Sequence, residues 1–499
     1  MQITNRKTRF DKVREKFFYE RISLCQPLRV DRHIISDKFM PSAEYNSNNT
    51  WNFNGNNRTL NNNNRYNSNF RCRPFLDFVQ KNDKNKISNY HVSLEELIEL
   101  EKECYNGKDS SIKFRTQYFH NLVQLYHKLN QQILTIGETY RVVIDIPKVR
   151  EIVYCNYEDK LIQSFFVKQI NPTLEEKWFH KDSFSCRKNK GVLKAVETFQ
   201  QYLQETVKNT KTTENIYVAS VDIQNFFMSI DIKLSSKLMS EFIEKEFQNN
   251  PRKNLLLYLC NFLYNSNYCS NYIDLANPNI DKKLKREKTL IYNQPKRGVP
   301  IGNWPSQILG NFLTTFALNY LTKLGYKFVH YTDDTAIIVT DKKKYLKDIK
   351  LLEQFYQDQL HLKLHPNKRY LQHYSKGITF LGRKIKLNRK LPSNRTFYSL
   401  IGLLRRYLIL LKSDKYNVKF ATDFHNSFNS YFGLLRTTNS FRLRKIIINS
   451  IHKFQFYQYF KITKDIYTKI NLKEKYKQNN LYKSYFKIMK IDNLISKLK

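Results

Sequence analysis

The pattern of apolar residues predicts a mixed α/β body between two helical regions. A helical period begins at the capping box Ser93-Leu94-Glu95-Glu96 and continues through residues 119–134. Five short apolar segments, interleaved with helical stretches, then predict β-strands. They are YRVVIDI (140–146), REIVYC (150–155), NIYVASVDI (215–223), KFVHY (327–331) and TAIIVT (335–340). From about Tyr398 the apolar residues again follow a helical period.

Two adjacent carboxylates interrupt this pattern in the segment HYTDDTAIIV (330–339). Asp333 and Asp334 lie between two segments that each predict a buried strand, and because Asp is common in hairpin turns, a turn alone would explain the pair. A third carboxylate, Asp222, ends another apolar run. A charge there is costly to bury without a partner, and a cluster of like charges is tolerable only with cations. The three carboxylates together therefore predict a metal site.

Carboxylates that hold two Mg²⁺ ions are the machinery of polymerases, in which one ion activates the attacking 3′ hydroxyl and the other holds the triphosphate. The triphosphate also needs cationic side chains. Lys148 and Arg150 lie in IPKVREIV, and Arg187 lies with two lysines in FSCRKNKG, although either cluster would also suit a solvated face. The segment RGVPIGNWPSQILGN (297–311) predicts a turn that leads into an amphipathic helix.

The charge of the chain points to a polyanionic partner. The 499 residues include 85 Lys and Arg against 44 Asp and Glu, which gives a net charge of +41 and a pI near 9.8. A field of this strength favours nucleic acid. No apolar run reaches the ~18 residues needed to span a bilayer, so no membrane partner is expected. The N-terminus has charge where a signal peptide needs apolar residues, and the seven cysteines form no C-x-x-C pair, which favours a cytoplasmic protein with reduced thiols.

These segments, in this order, resemble the motifs of bacterial, group II intron-like reverse transcriptases. SVDIQNFFMSID is similar to motif A, KRGVPIGNWPSQILGNFL to motif B, and HYTDDTAIIV to motif C, the Tyr-x-Asp-Asp box. LHLKLHPNKRYLQ resembles motif D, KGITFLGRKI resembles motif E, and residues 146–197 resemble the finger motifs. The resemblance extends from about Ser93 to Lys445.

The resemblance implies an α+β fold, a right-hand polymerase with fingers, a palm that contains an antiparallel sheet, and a helical thumb. Extensions precede and follow this body. The expected regions are a basic arm and Asn-rich insert (1–90), the fingers (91–215), the palm with finger elements (216–395), the helical thumb (396–455) and a basic aromatic C-terminal tail (456–499). Thirteen of the residues in 46–69 are Asn, which favours turns, so a loop-rich insert is expected there.

The resemblance also implies roles for single residues. Asp222, Asp333 and Asp334 would be catalytic and, with the backbone carbonyl of Ile223, would hold the metal ions. The residues expected to contact the dNTP are Lys148, Arg150, Arg187, Phe227, Ile301, Gly302 and Lys368. Phe227 would pack under the sugar and exclude a 2′ hydroxyl, although core packing would also explain an aromatic there. Lys368 would neutralise or protonate the departing pyrophosphate, although a surface position would also suit a lysine.

Motif B departs from the intron type, because Pro300-Ile301-Gly302 stands where those enzymes carry Pro-Gln-Gly. In this the chain is similar to diversity-generating retroelement enzymes and to reverse transcriptases of bacterial antiviral defence. The resemblance implies an RNA-directed DNA polymerase that copies a dedicated noncoding RNA into DNA in antiviral defence. A mutagenic diversity-generating enzyme is the alternative within the family, and a catalytically silent RNA-binding protein with a polymerase fold is the alternative of another class.

The implied partners follow from that activity. They are a structured noncoding RNA as template and scaffold, dNTPs and the DNA product, while a homo-oligomer is left open. The implied cofactor is Mg²⁺, two ions per active site, with Mn²⁺ as the alternative ion.

Overall fold

The chain folds around an antiparallel palm sheet that helices and a smaller sheet cover. The computed structural model describes residues 49–54, 59–64, 92–145, 148–294, 296–411, 418–452, 460–462 and 470–472. The predicted basic arm of residues 1–45 and most of the predicted C-terminal tail lie outside the described residues.

The Asn-rich segment contains a β-hairpin, whereas the sequence predicted a loop-rich insert. Its strands are β1 (Asn49–Asn54) and β2 (Thr59–Asn64), which pair antiparallel. The Asn content that favours turns did not prevent strand pairing on either side of a short connection.

The finger region is mostly helical. Its elements are α1 (Leu94–Cys104), α2 (Asp109–Thr116), α3 (Tyr118–Asn130), β3 (Thr139–Ile144), β4 (Arg150–Cys155), α4 (Tyr157–Thr173), a π-helical turn (Leu174–Trp178) and α5 (Val192–Asn209). The predicted capping box opens α1, where the Ser93 hydroxyl accepts a hydrogen bond from the backbone N–H of Glu96. Strands β3 and β4 form a hairpin, and residues 146 and 147 in its turn are not described.

The palm and the segments around it carry most of the strands. Its elements are β5 (Tyr217–Asp222), α6 (Phe226–Ser229), α7 (Ile232–Glu246), α8 (Lys253–Asn265), β6 (Tyr272–Asp274), α9 (Pro278–Asp281), α10 (Trp304–Lys323), β7 (Lys327–Tyr331), β8 (Asp334–Val339), α11 (Lys342–Leu360) and β9 (Tyr370–His373). The palm sheet has the strand order β7-β8-β5-β9, and all of its neighbours are antiparallel.

The palm sheet is buried on both faces. Because side chains alternate along a strand, Ala219 and Ile337 face a large core built with the surrounding helices. Val218 and Ile338 face a second core, which includes residues of α5 and of the small sheet after β9. Burial on both faces explains why these strands were recognisable as continuous apolar runs rather than as alternating ones.

The C-terminal part begins with a small sheet and continues into helices. Its elements are β10 (Ile378–Phe380), β11 (Arg383–Ile385), β12 (Lys390–Pro392), α12 (Asn394–Leu411), α13 (Val418–Arg436), α14 (Phe441–His452), β13 (Phe460–Ile462) and β14 (Ile470–Leu472). The three helices lie where the sequence predicted the thumb. Strands β13 and β14 fall in the segment predicted as a tail, and buried Phe460 and Ile470 join the core of the thumb helices.

An ion cluster around a buried arginine ties the finger hairpin to residues 272–281 of the palm region, which we call the insert. Strand β6 pairs parallel with β3. Beside this pairing, the buried guanidinium of Arg141 donates to Glu151 at 2.8 Å, to Asp274 at 3.0 Å and to Asp281 at 2.6 Å. Because removal of Arg141 would leave the buried carboxylate of Glu151 without its ion pair, at a cost of about 3–5 kcal/mol, this cluster fixes the hairpin that carries Lys148 and Arg150.

None of the helices among the described residues is both long and apolar enough to cross a bilayer.

Candidate active site

The palm sheet brings the three predicted carboxylates together. Strand β5 ends at Asp222 and β8 begins at Asp334, and these two residues are paired in the register of the sheet. Asp333 precedes Asp334 in the turn between β7 and β8. One carboxylate oxygen from each of the three residues lies within 4.8 Å of the others. Among the described residues, this is the one group of three or more acidic, His or Cys side chains that is close enough to hold a metal ion.

The turn and the adjacent backbone fix the positions of the carboxylates. Tyr331 pairs with Asp334, so the turn between the strands contains only two residues. Such turns require a positive φ, and Thr332 has a φ of 60°. The N–H of Ile223 donates to the carbonyl of Asp333 at 3.1 Å, which connects the end of β5 to the turn. The role of the Ile223 carbonyl as a metal ligand stays a prediction.

The electrostatics of the site favour a bound cation. Burial, followed by the charge of Asp222, raises the pKa of Asp333 above its usual value. Burial, followed by the charges of Asp333 and Asp222, raises the pKa of Asp334 to about 7. Both shifts arise because like charges are held together away from water, and a divalent cation would remove this penalty. The residues present therefore fit a metal site of hard oxygen ligands, which Mg²⁺ and Mn²⁺ both accept.

Lys368 lies at the carboxylates, and its expected contact with the pyrophosphate stays a prediction. Its ammonium group forms an ion pair with the carboxylate of Asp222, and its side chain is half exposed. The backbone N–H of the nearby His365 donates to the carbonyl of Asp222 at 2.7 Å, which anchors the segment that carries the lysine. Lys368 is thus placed where it can compensate negative charge on the protein or on a bound phosphate.

The finger hairpin places two further cations near the site. The positive charges of Arg150 and Lys368 both act on Asp333. Burial lowers the pKa of Lys148, and the charges of Lys368, Arg395 and Arg150 lower it further, while the charge of Asp334 opposes the shift. Both predicted finger residues therefore lie within electrostatic reach of the carboxylates.

Arg187 lies in the finger loop, which we define as residues 180–191, and contacts this loop and the π-helical turn before it. Its guanidinium donates to Glu175 at 2.8 Å and to the carbonyls of His180 and Ser183 at 2.6 and 2.9 Å. These contacts build the loop, so they give no support to a role in binding the dNTP. That role stays a prediction.

Phe227 lies on the short helix α6, five residues after Asp222. It is half-buried, whereas its neighbour Phe226 is buried in the core, and the two rings have centroids 5.2 Å apart. The carbonyl of Phe227 accepts a hydrogen bond from the N–H of Val299 at 2.9 Å, which joins motif A to motif B. One edge of the Phe227 ring thus packs on the core while the rest of the side chain keeps access to solvent.

The motif B turn lies against the finger hairpin. Gly302 has a φ of 111°, a conformation that L side chains rarely adopt, and a Cβ at this position would lie 3.2 Å from Ile152 of β4. Ile301 is half-buried and Gly302 is exposed. The contact with β4 places this turn near Arg150, which supports but does not test the predicted contacts with a nucleotide.

Arg395 is a cation near Lys148 that the sequence interpretation missed. It lies at the start of α12, and its charge acts on Lys148. A cation in the first turn of a helix opposes the helix dipole. An anionic ligand beside the helix terminus would offset this unfavourable interaction. An arginine in the first turn of a predicted helix was therefore the signal that could have identified Arg395.

The comparisons with known proteins bear on this domain. The family described as "Reverse transcriptase (RNA-dependent DNA polymerase)" matches residues 145–385, the segment that contains the three carboxylates. Residues 145–385 form a reverse transcriptase domain. Domains of this family are RNA-directed DNA polymerases, a class of nucleotidyltransferase. The predicted fold of mixed helices and antiparallel sheets is confirmed.

Structures of telomerase are also similar to the chain, with low sequence identity and low TM-scores. Apo telomerase from Candida tropicalis has 13% identity and a TM-score of 0.39, and the match covers 64% of this chain and 59% of that one. Telomerase from Candida albicans with a TWJ fragment of telomeric RNA has 11% identity and a TM-score of 0.38, with 91% of this chain and 85% of that one covered. No match was found among curated proteins.

The raised pKa of Asp334 predicts a gain in stability for one variant. The folded protein holds a proton on Asp334 up to a pH of about 7, whereas the unfolded chain loses it near pH ~4. The metal-free protein therefore loses stability as the pH rises from ~4 to ~7, since the folded state must give up a proton it binds more tightly. Asp334→Asn cannot titrate and escapes this loss. At pH 8 in EDTA we expect its melting temperature to exceed that of the unmodified protein by about 2–5 °C.

The control is the same comparison at pH 5, where the difference should shrink. Added Mn²⁺ should raise the melting temperature of the unmodified protein more than that of the variant. A variant that melts below the unmodified protein at pH 8 in EDTA would contradict the assignment of charge repulsion to this site.

Proposed function

We propose that this chain copies an RNA template into DNA by metal-assisted nucleotidyl transfer. The observation that carries the proposal is the convergence of Asp222, Asp333 and Asp334 within a reverse transcriptase domain. Two Mg²⁺ ions, when bound there, would activate the attacking 3′ hydroxyl and neutralise charge on the leaving pyrophosphate. Mn²⁺ is the alternative ion.

The cations around the carboxylates supply the remaining charge that a dNTP requires. A triphosphate brings several negative charges, which Lys148, Arg150 and Lys368 can compensate. Lys368 pairs with Asp222 in the absence of substrate. If a cation were bound to Asp222, the ammonium group of Lys368 would be available to the phosphates. It could then neutralise or protonate the leaving pyrophosphate.

Phe227 gives the basis for a preference for deoxyribose. The half-buried ring is held from behind by Phe226 and through its backbone by Val299, so it cannot easily move aside. A bulky ring under the sugar leaves no room for a 2′ hydroxyl and offers it no hydrogen bond. The substrate we propose is therefore a dNTP.

A groove in the thumb suits the nucleic-acid backbone. Its volume is about 770 Å³, and it lies between the start of α12 and the start of α14. Arg442, Arg444 and the exposed ring of Phe441 line it, and its lining contains no carboxylate. Arginine and aromatic side chains together bind phosphates and stack on bases. The groove also includes Asn394, the neighbour of Arg395, whose charge acts on Lys148.

We propose further that the template is a dedicated, structured noncoding RNA that also serves as a scaffold, and that the activity serves antiviral defence in bacteria. Support comes from the Pro300-Ile301-Gly302 form of motif B, from the net charge of +41 and from the regions that precede and follow the domain. A mutagenic diversity-generating enzyme is the alternative that shares the same motif B. A cytoplasmic location is part of this proposal.

Replacement of the catalytic carboxylates tests the reaction. In Asp333→Asn/Asp334→Asn, loss of the metal ligands should reduce Mg²⁺-dependent dNTP incorporation on an RNA template by at least about 10³-fold. RNA binding should change by less than about threefold, because it depends on the phosphate-binding surfaces. Primer extension and a filter-binding assay measure the two quantities.

The matched control is Asp358→Asn, which removes an exposed carboxylate on α11. It should leave incorporation unchanged. Retained incorporation in the double variant would refute the site, and an unmodified protein that binds RNA but never incorporates dNTPs would favour the silent RNA-binding protein.

Removal of the Phe227 ring tests the sugar preference. Phe227→Ala should raise the relative use of rNTPs roughly tenfold or more, because the space that excluded the 2′ hydroxyl becomes open. The comparison of kcat/KM for dGTP and GTP measures this ratio. Phe262→Ala, which removes a half-buried ring from α8, is the control and should keep the preference for dNTPs. Unchanged selectivity in Phe227→Ala would remove Phe227 from this role.

Sequencing of copurified nucleic acid tests the dedicated template. The protein purified from its own cells should carry one predominant structured RNA, together with DNA complementary to part of it. The Asp333→Asn/Asp334→Asn variant should carry the RNA without the DNA and should lose protection against phage infection. An RNA population that mirrors the total cellular pool would contradict a dedicated template, and DNA with frequent mismatches to its RNA would favour the mutagenic enzyme.

A further inference from the structure

The finger loop continues the palm sheet beyond its outer strand. The N–H of Phe184 donates to the carbonyl of His330 at 3.0 Å, and the N–H of His330 donates to the carbonyl of Asp182 at 2.9 Å. Ser183 forms a parallel bridge with His330. Because β7 carries the catalytic turn at its end, the finger loop is joined through the backbone to the strand that leads into this turn.

A side-chain contact then joins the finger loop to the turn itself. The hydroxyl oxygens of Ser185 and Thr332 lie 2.6 Å apart, and Ser185 is buried. The Ser185 hydroxyl also lies 3.6 Å from the sulfur of Cys186, a weak acceptor, so Thr332 can donate to Ser185 while Ser185 donates onward. Thr332 directly precedes Asp333, so the contact holds the backbone next to a predicted metal ligand.

The conformation of Thr332 indicates why a contact is needed there. Its φ of 60° is strained for a β-branched side chain, and Gly or Asn is the usual residue in such a turn. A strained conformation persists where the surroundings hold it. A Gly at this position would relieve the strain but would lack the hydroxyl that contacts Ser185.

The position of Ser185 is itself fixed from the motif B helix. The side-chain amide of Asn311, on α10, donates to the carbonyl of Ser185 at 2.8 Å, and Asn311 is buried. The contact between Ser185 and Thr332 therefore rests on a rigid support rather than on a mobile loop tip.

We propose that Ser185 is a positioning residue for the catalytic turn: through its hydrogen bond to Thr332 it holds Asp333 in the geometry that binds a divalent cation. The proposal rests on the proposed function, whose metal site it deepens. The loop that carries Ser185 also carries Arg187 and Lys190, so a ligand that shifts this loop would alter the metal site through the same contact.

Metal affinity in the full-length protein is the measurement that tests this role. We expect Ser185→Ala to weaken Mn²⁺ binding to the carboxylates roughly three- to tenfold, as loss of one hydrogen bond allows. Thr332→Val has the same shape as Thr and keeps the backbone strain, so it should weaken Mn²⁺ binding by a similar factor. The variant with both changes should be no worse than either alone, because the two remove one interaction. Titration calorimetry measures the affinities, with the Asp333→Asn/Asp334→Asn protein as the baseline.

Activity gives a second measurement. Ser185→Ala should raise the Mg²⁺ concentration for half-maximal dNTP incorporation by the same factor. The KM for dNTP at saturating Mg²⁺ should stay within about twofold of the value for the unmodified protein. A general loss of structure would change this KM as well.

Two variants serve as controls. Ser183→Ala removes a buried hydroxyl of the same loop that has no hydrogen-bond partner among the described residues, and it should bind Mn²⁺ as the unmodified protein does. Thr332→Ser keeps the hydroxyl and should restore binding to within about twofold. Should Ser185→Ala fail to fold, as judged by its melting temperature, Thr332→Val against Thr332→Ser decides the question.

The outcomes separate this proposal from the proposed function. Unchanged Mn²⁺ affinity in Ser185→Ala and Thr332→Val, or additive losses in the double variant, would overturn the positioning role. If the unmodified protein binds Mn²⁺ but incorporates no dNTP, the proposed function fails while the affinity series still decides the role of Ser185. If the unmodified protein binds Mn²⁺ no better than the Asn variant, both proposals fail.

Discussion

The mutual repulsion of three buried carboxylates is the constraint on which the rest of this structure depends. Asp222, Asp333 and Asp334 would separate or take up protons if the fold allowed it, and the raised pKa values show that the second response is already favoured. What prevents separation is the register of β5 and β8, whose main-chain hydrogen bonds pair Asp222 with Asp334. The site therefore costs stability in the absence of a cation and regains it when one binds.

The cores on the two faces of the palm sheet supply the stability that this repulsion removes. Strands β5 and β8 contribute apolar side chains to both cores, so a shift in their register would expose side chains on each face. The cations belong to segments that are held separately. Lys368 lies two residues before β9, and Arg150 belongs to the finger hairpin. Electrostatic attraction to one acidic cluster thus joins the finger hairpin to the segment that precedes β9.

Much of the site could be predicted from the sequence, because its signals are local. A charge at the end of a buried strand identified Asp222, and the paired carboxylates between two apolar runs identified Asp333 and Asp334. The contacts that position them could not be predicted in this way. Ser185 and Thr332 are 147 residues apart, and a serine in a basic loop gives no sign of what it meets.

Other features were missed for related reasons. Strand β6 has three residues, too few to show a period, and its parallel partner β3 lies more than a hundred residues earlier. For Arg187 the charge was visible but its internal acceptors were not. Composition can show that a cation is present, whereas only the fold shows whether the protein or a ligand satisfies it.

The parallel pairing of β6 with β3 has a consequence for how the hand can move. The insert pairs with the finger hairpin by a β-ladder, and Arg141 secures that junction through Asp274 and Asp281. A hinge between these two segments would have to break all of these bonds together. The hairpin with Lys148 and Arg150 is therefore held to the insert. Rotation of the fingers must occur about another hinge or must move the insert together with the hairpin.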